Sequence, residues 1–232
     1  MTIKVLELFS GTGSISKGVK TIYPDSHIVS LDRDIHNPHS QVHIQEDIMT
    51  WDYKSIDKYS FDLITASPVC MWWSNLRNTW INRKLKIHGD KIITREILED
   101  DINKYGVPMV NKVIEIIKYF EPKHFWIENP HSSSMKRMLD PIYPKHKVSY
   151  CQYGFDYQKN TSFWMDDELH DRFVPRCCHK DCNKIVKNPK SGRSKKGHIG
   201  DLGTYYGGSN RLLRYRIPID LICSLINSCE FN

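Results

Sequence analysis

"IKVLELFSGTGSISKGVKTI", residues 3–22, decides the fold. Its first six residues are a short apolar run, its middle is a glycine turn, and helical spacing follows in "SISKGVKTI". The same alternation continues down the chain. "HIVSLD" (27–32) and "FDLITA" (61–66) are further apolar runs that end in polar or turn residues, and "HFWIEN" (124–129) is a fourth. Between the last two, "VPMVNKVIEIIKYF" puts Val107, Val110, Val113, Ile114, Ile117 and Phe120 on one helical face, with Pro122 just past its end. Strand, glycine turn, helix and strand in repetition predict an α/β fold of parallel strands with crossover helices, whose ligands bind beyond the strands' carboxyl ends. Chemistry is therefore expected around Ser10, Asp32, Ser67 and Glu128. The pattern breaks after "CQYGF" (151–155) and resumes at "IPIDLICSLI" (217–226), where Pro218 fits a first helical turn and Ile219, Ile222, Leu225 and Ile226 form an apolar face.

At 232 residues and 40% hydrophobic composition, the chain fits one α/β core with a small appended lobe. The predicted boundaries are a catalytic domain over 1–163, a basic lobe over 164–210 and a returning C-terminal helix over 211–232. "MTIKVLELFS" has no basic region leading into an apolar stretch, and no run approaches the roughly 20 apolar residues of a membrane span. Seven cysteines without a leader argue against a disulfide framework. The expectation is an intracellular protein of cytoplasm, nucleus or nucleoid, with no membrane partner. Charge is concentrated: Arg172 to His198 holds nine Lys or Arg and one acid, leaving 24 basic and 26 acidic side chains elsewhere. Such a block suits a polyanion such as nucleic acid, though a solvated loop reads the same way.

Gly11 and Gly13 let the backbone turn tightly and approach a ligand, but Ser16 stands where the dinucleotide fingerprint has its third glycine, which weakens a nicotinamide reading. Asp32 is placed to accept from ribose hydroxyls and Asp47, in "EDIMTWD", from an adenine amino group; alternatively both cap local structure. Cys70, in "SPVCMWWS" (67–74), is either a packed thiol closing a strand or a nucleophile presented by it. "CCHKDC" (177–182) gives Cys178 and Cys182 the spacing of a thiolate pair with His198 downstream, which fits a structural zinc or free thiols. Cys151, Cys223 and Cys229 read as packing residues.

Five blocks, "LELFSGTGSISKG", "ASPVCMWWS", "WIENP", "YGFDYQKNTSFW" and "RYRIPIDL", resemble in order and spacing those of the DNA (cytosine-5) methyltransferases, most nearly the short versions of phages and large DNA viruses. The resemblance spans residues 3 to about 224 and implies a class I Rossmann-like fold that uses S-adenosylmethionine. It implies a cofactor site of Phe9, Ser10, Gly11, Gly13, Asp32, Asp47, Ile48, Ser67 and Pro68. Cys70 is implied as the nucleophile that adds to cytosine C6, and Glu128 as the carboxyl group that relieves charge at N3. The target base is flipped out of a DNA duplex. Asn129 and Lys159 then bind substrate, and Arg193, Lys195 and Lys196 of the basic segment occupy the target-recognition position.

Two departures stand out. Val69 replaces a second proline, which loosens a fixed φ, and Gln158, Asn160 and Ser162 stand where relatives carry arginines. Residues 78–105 form a long stretch that is either a lid closing on DNA, the preferred reading, or a helical surface insertion. An RNA cytosine methyltransferase and a binding protein that has lost turnover are the alternatives.

Overall fold

The computed structural model describes residues 2–155, 157–178 and 215–231, and the backbone of two short strands at 185–187 and 194–196. Strands β1 (Lys4–Leu8), β2 (His27–Leu31), β3 (Val42–Ile44), β4 (Leu63–Ala66), β5 (His124–Pro130), β6 (Lys145–Ser149) and β7 (Asn160–Met165) form one sheet in the order β3-β2-β1-β4-β5-β7-β6. The first five are parallel, and β7 runs antiparallel between β5 and β6. Strand order reverses beside β1, so the cleft beyond the carboxyl ends of β1 and β4 is where this architecture places its ligand.

The interior strands are apolar on both faces because both are covered. Leu6, Leu8, Ile64 and Ile127 face one core, which α3 (Val107–Phe120) closes with Val110, Val113, Ile117 and Phe120. Val5, Leu63 and Trp126 face the other, closed by α1 (Ser14–Ile22) and by the last helix, Ile219–Ser228. These two helices touch closely: a Cβ on Gly18 would lie 2.4 Å from Ile222 Cγ2, which accounts for a glycine inside α1. The final helix buries Leu221, Ile222, Leu225 and Ile226. Ile219, predicted for that face, is only half-buried at the first turn, and Leu221 takes its place.

The packed core continues past the predicted boundary at 163. That boundary falls inside β7, and the helix that follows, Asp167–Arg172, is fixed by Asp166, which accepts from Phe125 N at 2.9 Å and meets His124 Nδ1 at 3.1 Å. Phe173 is buried in the same core. Of the predicted basic lobe, Ile185–Lys187 and Ser194–Lys196 pair as an antiparallel hairpin, β8 and β9. The side chains of Lys195 and Lys196, and all of Arg193, Cys182 and His198, lie outside the described residues. Among the described residues no helix is long and apolar enough to cross a membrane.

Candidate active site

The turn between β1 and α1 is tightly curled: Phe9, Gly11 and Gly13 have φ of 58°, 50° and 72°. Phe9 tolerates this left-handed conformation despite its side chain, and a Cβ on Gly13 would lie 2.1 Å from Asn37 Oδ1. Asp32, at the end of β2, fixes the turn by accepting from Gly11 N at 2.9 Å through Oδ2, while Oδ1 accepts from Asp34 N and Ile35 N. Asp47 caps its own turn, accepting from Met49 N at 2.9 Å, and stands 3.6 Å from Arg33. Ile48 is buried in the core beneath it. The hydroxyls of Ser10 and Ser67, at the ends of adjacent strands, are buried with no hydrogen-bond partner among the described residues. Two orphaned hydroxyls beside an acid and a glycine turn fit a polar nucleoside-type ligand.

Glu7 was not legible as part of this site. It is buried, its carboxylate is bonded by Ser16 Oγ and accepts from Ser16 N at 3.2 Å and Asn37 Nδ2 at 3.0 Å. Ser16 occupies the third-glycine position because its hydroxyl and amide serve this carboxylate. Burial pushes Glu7 up from 4.5 to about 7, against the lowering effect of those hydrogen bonds. The native state thus holds this proton where the unfolded chain has lost it, so Glu7 erodes stability as pH rises from about 4.5 to about 7. The full penalty is about 3 kcal/mol. Glu7→Gln is expected to flatten the fall in melting temperature between pH 5 and 8; an unchanged pH dependence would refute the assignment.

Cys70 lies two positions after Ser67–Pro68 in a short 3₁₀ turn, Cys70–Trp72. Val69 before it has φ −51°, within the range a proline would impose, so the replaced proline does not change the turn's shape. Asn129 donates through Nδ2 to Pro68 O at 2.9 Å, and Ser134 donates through N and Oγ to Trp73 O at 2.9 and 3.1 Å. The amide nitrogen of Asn129, predicted to bind substrate, therefore tethers the nucleophile turn.

Residues 75–106 form a packed helical insertion beside that turn: a 3₁₀ segment (Asn75–Trp80), α2 (Arg95–Asp101) and a wide π turn (Ile102–Gly106). Its centre is Arg77, buried and ion-paired with Asp101, with Nη1 donating to Trp72 O at 3.1 Å and Leu98 O at 3.3 Å. The guanidinium lies 5.4 Å and 5.3 Å from the rings of Trp72 and Trp80. Breaking a buried pair from one side strands the other charge, so Asp101→Ala is expected to cost about 3–5 kcal/mol in chemical unfolding. A loss below about 1 kcal/mol would show that the pair is solvated.

Register places Ala66 of β4 opposite Ile127 of β5, so the nucleophile turn and Glu128 leave neighbouring strands at the same end of the sheet. Glu128 is buried; its Oε1 accepts from Tyr150 OH at 3.1 Å and stands 3.8 Å from Lys159 Nζ. The thiol of Cys70 is pushed up chiefly by burial and next by the Glu128 charge, while Lys159 pulls it down. The three groups share one electrostatic site. Gln158, Asn160 and Ser162, the positions without arginine, are engaged within the protein: Gln158 Nε2 donates to Cys178 Sγ, Asn160 Oδ1 accepts from Ser149 Oγ, and Ser162 Oγ meets His131 Nδ1.

The strand order with its reversed seventh strand, the glycine turn and the acid ending β2 define a Rossmann-like, S-adenosylmethionine-dependent methyltransferase. The chain is 34% identical, over 98% of its own length and 100% of the relative's, to a protein of Frog virus 3 (isolate Goorha) named a probable DNA (cytosine-5)-methyltransferase. It belongs to the DNA (cytosine-5)-methyltransferase family. No family model matches it. Among solved structures it is similar to TrmN from Thermus thermophilus, at 15% identity over 71% of this chain and 43% of that one with a TM-score of 0.38. A second is PKMT2 from Rickettsia typhi in complex with AdoHcy, at 16% identity over 55% of this chain and 21% of that longer one with a TM-score of 0.31.

Proposed function

We propose that the protein methylates C5 of cytosine in double-stranded DNA, with Cys70 as the nucleophile and Glu128 as the carboxyl group at N3. The observation that supports this most is the placement of a thiol and a carboxyl group on neighbouring strand ends, close enough for the charge of one to perturb the other. Cytosine C5 is too weak a nucleophile to accept a methyl group directly. Addition of the Cys70 thiolate to C6, with a proton delivered to N3 by Glu128, converts the ring to an enamine whose C5 carries the electron pair. After methyl transfer, loss of the C5 proton expels the thiolate and restores the aromatic ring.

S-adenosylmethionine supplies the electrophilic methyl group. Asp32, the glycine turn and the hydroxyls of Ser10 and Ser67 are the groups that hold it, with Ile48 beneath and Asp47 at the adenine end. In Glu128 both described contacts take Oε1, so Oε2 is the oxygen for the ring. Lys159 neutralises charge shared between thiol and carboxylate. A cleft of about 320 Å³ beside the nucleophile turn, lined by Trp72, Trp73, Asn75, Arg95 and Arg137 among others, suits an unpaired base and the phosphates around it. Extrusion of the base costs roughly a few kcal/mol, which cationic contacts offset.

Methyl transfer from labelled S-adenosylmethionine to duplex DNA, single-stranded DNA and transfer RNA tests the substrate. Duplex DNA labelled at cytosine C5 is the expected product. Labelling of RNA alone would overturn the duplex assignment and leave the site chemistry standing.

A further inference from the structure

Two sulfur atoms 27 residues apart in sequence meet behind the Glu128 site. Cys151 lies in the turn after β6, and Cys178 is the last described residue before position 185. Their Sγ atoms are 3.0 Å apart, and both residues are buried. This separation is well beyond the roughly 2.05 Å of a disulfide. The surroundings are polar: Gln158 Nε2 donates to Cys178 Sγ at 3.0 Å, and Cys178 N donates to Ser149 Oγ at 3.1 Å. An amide donor aimed at sulfur stabilises a thiolate and orients a ligating one. Cys151, read from sequence as a packing residue, thus acquires a partner that itself opens a Cys-x₃-Cys spacing.

We propose that Cys151 and Cys178 together bind a structural zinc ion. Binding displaces one proton from each thiol to solvent and forms two zinc–sulfur bonds of about 2.3 Å, which set the sulfurs about 3.7 Å apart at a tetrahedral angle. The pair needs to open by less than about 1 Å. Among the described residues no third metal-ligating side chain joins the pair. The inference rests on Cys151 and Cys178. Cys182 and His198, the candidates from sequence, lie outside the described residues, and metal analysis of their variants assigns the remaining positions.

Such a site joins the basic segment to the active site through the chain itself. Cys151 follows Tyr150, which donates to Glu128, and Gln158 precedes Lys159. A metal here would hold both partners of Glu128 from behind without touching the reacting groups.

The test is metal analysis of the full chain purified without chelator, which is expected to contain about one zinc per chain. Cys151→Ala is expected to lose it, whereas Cys223→Ala, on the last helix, is expected to keep it. Because Cys151→Ala also leaves a void, Cys151→His provides a second, zinc-competent variant. With cobalt(II) as the probe, Cys151→His should still bind metal but with thiolate-to-cobalt absorption weakened by one sulfur's share. The proposal is overturned by a wild-type chain that neither contains nor takes up zinc, by Cys151→Ala with undiminished zinc, or by a Cys151–Cys178 disulfide in the peptide map of the chain as purified. None of these outcomes bears on whether the protein methylates DNA.

Discussion

Cys70→Ala is expected to lower methyl transfer by roughly 10⁴-fold or more, because without addition at C6 the ring never becomes a carbon nucleophile. The loss should fall on turnover and not on assembly of the protein. The turn carrying Cys70 is held by main-chain and neighbouring contacts, at Pro68 O by Asn129, at Trp72 O by Arg77 and at Trp73 O by Ser134, none of which uses the thiol. Binding of S-adenosylmethionine, read by calorimetry, should therefore stay within about 2-fold of wild type, since none of its proposed ligands is altered. Activity within 10-fold of wild type would remove Cys70 from the mechanism.

Glu128→Gln is expected to slow methyl transfer by roughly 10²–10⁴-fold, the usual worth of a positioned proton donor. It should have the opposite effect on the thiol. Burial and the Glu128 charge both raise Cys70 above an ordinary thiol, so at neutral pH the free enzyme holds it protonated, and its thiolate fraction grows only as pH rises. Deleting the carboxylate charge lowers that threshold. Cys70 in Glu128→Gln should then react faster with iodoacetamide at pH 7 to 8, with its alkylation profile moved to lower pH. Lys159→Met removes the cation that opposes these effects and should move the profile to higher pH. A variant that is slow in methyl transfer yet quick in alkylation separates a role at the ring from general damage to the turn. If both rates fell together, the shared electrostatic site would be wrong.

What could be read in the chain and what could not divide along physical lines. β1, β2, β4 and β5 are each a contiguous apolar run because each is an interior strand buried on both faces, and α3 repeats every three to four residues because one side alone is covered. β6 reads "KHKVS": as the sheet's edge it can be polar, and it carries no such signal. The reversal of β7 is equally silent, since alternation does not encode strand direction.

In the site, the glycine turn, Asp32, Cys70 and Glu128 were legible because each ends a strand. Glu7 was not, because an acid inside an apolar strand announces nothing until Ser16 and Asn37 are brought to it by α1 and the loop after β2. Arg77 with Asp101, and Cys151 with Cys178, are pairs made by tertiary closure across 24 and 27 residues, where no local periodicity links the partners. The insertion after Cys70, for which a lid was preferred, is fastened to the nucleophile turn by the first of these pairs.

The central claim is a covalent bond between one sulfur and one pyrimidine. Duplex DNA with 5-fluorocytosine at the target position blocks the final proton loss and arrests the reaction after addition and methylation. Incubated with the protein and S-adenosylmethionine, it should yield an adduct that survives denaturing electrophoresis and maps by peptide mass to Cys70. An adduct on any other cysteine, or none while ordinary duplex is methylated by the same preparation, would contradict the account.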